Sequence, residues 1–110
     1  GAIIKEFTAA PIFMSSDTKG SHQWLIEFEK MPKNQSLFME VLDKTLKEVN
    51  SDYDAKRYKD FTLEMPTLTI ARDGLFMDWM KSRNKVGGQN KVPRLSNNRD
   101  IIDDILKLNS

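Results

Sequence analysis

Cysteine is missing from the whole chain, which excludes a disulfide framework, a thiolate nucleophile and any cysteine-ligated metal. Histidine is nearly missing too. His22 stands alone, at the start of a strand-like stretch, and metal centres are normally assembled from several ligands, so no metal site is expected. No apolar run approaches the ~20 residues of a membrane span, and the N-terminus lacks the apolar core of a signal peptide. An excess of charge of either sign is also absent. Lys and Arg number 17 against 16 Asp and Glu, a formal net charge of +1, which argues against a non-specific nucleic-acid coat or an anionic membrane surface as partner. The G-x-G-x-x-G, P-loop and G-x-S-x-G patterns do not occur, so no dinucleotide site, phosphate cradle or nucleophile elbow is encoded locally. These absences together lead to the expectation of a soluble cytoplasmic domain with neither nucleic acid nor membrane as partner.

What is present suits one domain spanning residues 1–110, with 39% hydrophobic and 30% charged residues, enough for a core under a well-solvated surface. The segment 2–15 is rich in β-formers and contains Pro11, which predicts an edge or bent strand. HQWLIEFEK (22–30) alternates, placing Trp24, Ile26 and Phe28 on a core face and Gln23, Glu27 and Glu29, with Leu25 among them, on the other. Leu37, Phe38, Val41, Leu42, Leu46 and Val49 recur at helical period and predict a helix over 37–49, capped by Asn34 or Ser36. Residues 51–60 read as a polar connector. The stretch 61–71 reads as a third strand interrupted by Pro66. Asp73 is expected to cap a short helix with Leu75, Phe76, Trp79 and Met80 inward, ending near residue 84. Asn97 or Asn98 is expected to cap a last helix that buries Ile101, Ile102, Ile105 and Leu106. The acidic residues on the helices are expected on solvent faces. The order predicts an α+β fold, a small mixed sheet with helices packed on one face.

The distribution of charge carries the remaining signal. From residue 79 to residue 99 there are six basic residues, Lys81, Arg83, Lys85, Lys91, Arg94 and Arg99, and no acid. Such a run reads as a solvated basic surface or as a phosphate contact. The local chemistry sharpens the second reading. Gly87 and Gly88 accept backbone angles closed to other residues and allow close approach to another surface. Pro93 holds Val92 extended. Lys91 is thereby offered on a partly stiffened arm, a good placement for a point charge on phosphate oxygens.

The ordered segments HQWLIEFEK, NSDYDAKRY, RDGLFMDWMKSRN and GGQNKVPR resemble the C-terminal domain of the auxin-responsive promoter (Gretchen Hagen) family of acyl acid–amido synthetases. They are closer to its bacterial than to its plant members, and the likeness extends over nearly the whole chain. The family is similar to the wider adenylate-forming ligases, in which a small mobile C-terminal domain closes over a large one. The resemblance implies an enzyme that uses ATP with Mg to adenylate a carboxylic acid and then joins the acyl group to an amino acid. It implies that the partner of this domain is its own N-terminal adenylation domain, absent here, and that the chain starts part-way into the small domain. Alone, it would bind no cofactor and catalyse nothing. The family's catalytic lysine falls on Lys91. Arg94 and Gln89 follow as helpers in closure or phosphate contact, and Tyr53 and Arg57 as residues facing the large domain. A stand-alone α+β module that binds a ligand or protein is the alternative.

Overall fold

The computed structural model describes residues 2–13, 20–57, 64–83, 94–96 and 98–109. Strand β1 (Ile3–Ile12) pairs antiparallel with β2 (Ser21–Lys30), and β2 pairs in parallel with β3 (Thr67–Ile70), in the order β1-β2-β3. Parallel neighbours need a crossover. Here it contains helices α1 (Gln35–Val49) and α2 (Ser51–Arg57), and α3 (Leu75–Ser82) and α4 (Asp100–Leu106) follow β3. The α+β class and the mixed sheet are as expected. No helix of the described residues is long and apolar enough to cross a membrane.

Helices lie on both faces of the sheet, α3 and α4 on one and α1 on the other. Ala10 and Leu25, neighbours on one face, pack with Ala71, with Leu75, Phe76 and Trp79 of α3, and with Ile102 and Ile105 of α4. Leu25, Leu75, Ile102 and Ile105 are fully buried, each contributing about 2 kcal/mol by removal from water. The opposite face carries Phe7 stacked on Trp24, ring centroids 5.4 Å apart, and Phe28 edge-on to Phe38 of α1, also at 5.4 Å. With both faces covered, Leu25, Ile26, Glu27 and Phe28 are all buried. The half-exposed β2 predicted by alternation is therefore not observed. Leu25 belongs to the core and Glu27 does not reach solvent.

Pro11 sits where its missing donor is harmless. Ala9 directs its N–H to the Arg94 carbonyl (2.9 Å) and its carbonyl to the Ser96 N–H (3.1 Å), on the side of β1 away from β2. Two residues on, Pro11 places its nitrogen on that same outer side, and its carbonyl accepts from Arg99 Nη1 at 3.1 Å. β3 begins directly after Pro66, shorter than the expected 61–71. Residues 61–63 lie outside the described residues, as do residues 14 and 15 at the expected end of β1.

The helix ends follow side-chain chemistry with three departures. Asn34 is the cap of α1, its Oδ1 accepting from the Leu37 N–H at 3.0 Å. Residues 51–57 are helical where a connector was expected. Asn50 ends α1 and starts α2, accepting from the Tyr53 N–H at 3.1 Å, while Asp52 and Asp54 favour the positive end of the helix dipole. Asp73 does not cap α3. Gly74 occupies the cap position with φ +83°, and the buried Glu27 carboxylate reaches across from β2 to accept from the N–H groups of Gly74 (3.0 Å) and Phe76 (3.5 Å). At α4 the cap position is Arg99, and Asn98 Oδ1 accepts from the Asp100 N–H at 3.0 Å. Asn97 lies outside the described residues. The α1 stripe is also displaced. Leu37, Val41 and Val49 are exposed, whereas Met39 and Asp43 are buried.

Candidate functional site

Among the described residues of the basic run, Arg83, Arg94 and Arg99 each pair with an acid. Arg83, which closes α3, donates to Asp104 of α4 through Nε at 3.1 Å and through Nη2, and lies 5.7 Å over the Trp79 ring. Asp104 also accepts from Trp79 Nε1 at 2.7 Å. Donation from Arg83, then from Trp79, holds its carboxyl below the usual aspartate value. Arg94 pairs with Glu6 at 3.3 Å, and its guanidinium lies 4.6 Å over the Phe7 ring. Arg99 donates to Asp103 at 2.9 Å and to Gln23 Oε1 at 2.7 Å. Gln23 in turn donates to Thr69 Oγ1 at 2.8 Å, so Arg99 ties α4 to β1, β2 and β3.

Of the residues singled out from the sequence, Arg94 is therefore placed at the outer edge of β1, mostly exposed but in contact with Glu6 and Phe7. Lys81 is exposed on α3. Lys91 and Gln89 lie outside the described residues, as does Lys85. His22 sits near the start of β2 with its ring 6.3 Å from that of Tyr53. Among the described residues no group of three or more His, Cys, Asp or Glu is placed to hold a metal ion.

Tyr53 and Arg57, read as residues facing another domain, are buried at 8% and 6% exposure. Both are bonded to Asp43. Arg57 grips that carboxylate through two parallel bonds of 2.8 Å, the Tyr53 hydroxyl donates to Oδ1, and Lys47 stands 3.3 Å from Oδ2. The Arg57 bonds hold the Asp43 carboxyl at about 2 against the opposing effect of burial. Burial first, and Asp43 second, raise the Tyr53 phenol above its ordinary range. The expectation that helix acids face solvent fails at Asp43, which lies four residues from Met39 on the face of α1 that the fold buries. Glu27 and Asp104 were missed because their partners are 47 and 25 residues away, and no local pattern reports such contacts.

A mixed three-stranded sheet with helices packed against it, α3 and α4 on one face and α1 on the other, defines a small α+β domain. The chain belongs to the GH3 (Gretchen Hagen) family. The model of the GH3 family C-terminal domain matches residues 1–100. Among solved structures, the fold is similar to a GH3.15 acyl acid amido synthetase, with TM-score 0.64 and 20% identity over 98% of this chain. It is likewise similar to AtGH3.15 acyl acid amido synthetase in complex with 2,4-DB, with TM-score 0.66 and 17% identity over 99% of this chain. The chain spans 20% of the length of each. A comparison with curated proteins finds no matching sequence.

Proposed function

We propose that this chain acts as the small C-terminal domain of an ATP-dependent acyl acid–amido synthetase, completing an adenylating site on a larger N-terminal domain. The observation that carries this reading is the family match over residues 1–100, supported by the similar fold of acyl acid amido synthetases over 98% of the chain. In the first step a substrate carboxylate attacks the α-phosphorus of ATP, pyrophosphate leaves, and an acyl-adenylate forms. In the second, an amino acid's amine attacks the acyl carbon, AMP leaves, and an amide results. Negative charge crowds onto the phosphoryl oxygens in the first step. An ammonium about 4 Å away contributes about 4 kcal/mol at an effective dielectric constant near 20.

Lys91 is the residue assigned to that task, in the segment that resembles the family motif. Arg83, Arg94 and Arg99 pair with Asp104, Glu6 and Asp103, and Arg94 remains assigned with Gln89 as a helper in closure or phosphate contact. The described residues offer no ligand cluster for the Mg²⁺ that accompanies ATP.

The test is ATP–pyrophosphate exchange by the full-length chain. Lys91→Ala is expected to slow exchange by about 10²- to 10³-fold while leaving the melting temperature near its wild-type value. Wild-type exchange in that variant removes Lys91 from the mechanism. Calorimetry of the 110-residue chain alone is expected to show no appreciable ATP binding. Tight binding would instead identify a self-contained nucleotide module.

A further inference from the structure

Six apolar residues of α1, Leu37, Phe38, Val41, Leu42, Leu46 and Val49, recur at helical period, yet the fold buries none of them fully. The residues that α1 does bury are Met39 and Asp43. Leu37 and Val41 stand two positions on either side of Met39, roughly 160° round the helix from it, and are 55% and 56% exposed. Asp43 fixes this rotation. Its carboxylate takes two bonds of 2.8 Å from Arg57 and a third from the Tyr53 hydroxyl. Turning the apolar stripe inward would break those bonds and strip them from Arg57, which is itself buried. Single exposed apolar side chains are ordinary. A stripe displaced as a unit from the side that its helix buries is a different case, since contiguous apolar surface with a polar border marks a contact with something else. Glu40 and Lys44, both exposed, border it.

We propose that this outer face of α1 is the surface on which the domain docks against the N-terminal part of its own chain. The inference rests on the reading of the chain as the C-terminal domain of a longer synthetase. The chain spans 20% of the length of the matched structures and matches the C-terminal domain of the family. The greater part of such a chain therefore lies N-terminal to this domain, tethered and within reach. Size favours that occupant over a second copy. The helix has 15 residues, so it is about 22 Å long, and a face roughly 10 Å across offers on the order of 200 Å². Stable contacts between separate molecules take about 800 Å² from each partner. Contacts between domains of one chain begin at a total of about 600 Å², and a tether holds the partner at an effective concentration on the order of 1 mM.

The experiment is thiol alkylation of a Val41→Cys variant of the full-length chain, followed at that site by peptide mass mapping. The same variant in urea supplies the unprotected rate, which a side chain as exposed as Val41 would approach in an undocked domain. With the undocked conformer at about 10% of the population or less, the folded variant is expected to react at least about tenfold more slowly. Adding Leu37→Lys, which puts a charge into the contact, is expected to bring the rate back toward the urea value. The proposal is overturned if the folded Val41→Cys protein reacts at close to the urea rate, or if Leu37→Lys leaves its protection untouched. It is also overturned if protection fades on dilution together with a dimer mass in light scattering, which would assign the face to a second copy. Alkylation needs no substrate, so its outcome is separable from ATP–pyrophosphate exchange. A full-length chain that gives no exchange refutes the enzymatic reading, whereas normal exchange with an unprotected thiol at position 41 refutes the docking surface alone.

Discussion

Asp43 shows how much one buried carboxylate can depend on its partners. Removing it by Asp43→Ala takes two hydrogen bonds from the Arg57 guanidinium, 6% exposed, a loss of about 3–5 kcal/mol. The linkage to pH has a definite sign. The folded Asp43 carboxyl lies at about 2, below the roughly 3.9 of an unfolded aspartate, so the unfolded chain takes up the proton first as pH falls. The stabilisation is fully present above about pH 4 and disappears as pH drops toward about 2, some 2 kcal/mol in total. Urea titrations at a series of pH values should show the gap between wild type and Asp43→Asn narrowing across that interval. A gap that stays constant would refute the assignment. None of this was legible from composition, since an acid on an amphipathic helix is ordinarily solvated. The contact with Arg57 exists because α2 folds back along α1, a tertiary event.

At the level of elements, α3 illustrates a helix started from outside its own segment. Its cap position is Gly74 at φ +83°, a conformation that costs most other residues about 1 kcal/mol. A Cβ at that position would meet nothing within 4 Å. Gly74→Ala should therefore destabilise by only about 1 kcal/mol, with Gly74→Asn costing less, measured by chemical denaturation. Glu27→Ala should cost more, about 1–3 kcal/mol, since two first-turn N–H groups lose a charged acceptor inside the protein. If the two positions ranked in the opposite order, Glu27 would not be the cap. Helical periodicity and glycine were enough to place α3 to within a residue or two. The residue that caps it was hidden because it comes from β2.

For the molecule as a whole, β2 is the element that both helical layers share. Trp79 reports on the layer of α3 and α4, and Trp24, stacked on Phe7, reports on the opposite face. Because Leu25 and Phe28 of the same strand belong to opposite layers, neither layer can unfold and leave the other its central strand. The single-tryptophan variants Trp24→Phe and Trp79→Phe should each show a fluorescence midpoint in urea that coincides with the variant's own circular-dichroism midpoint. Separate midpoints would mean two independent units. The sequence by itself determined the α+β class, the strands and most of the helices, because hydrophobic period, proline, glycine and asparagine act on the backbone within a few residues. It also determined the family motif that contains Lys91. Only the tertiary structure decided that helices cover both faces, that Asp43, Tyr53 and Arg57 turn inward, and that the arginines beside Lys91 are tied to Asp104 and Glu6. Those outcomes depend on which distant carboxylate arrives beside which cation, and side chains far apart in sequence leave no trace of that in local pattern.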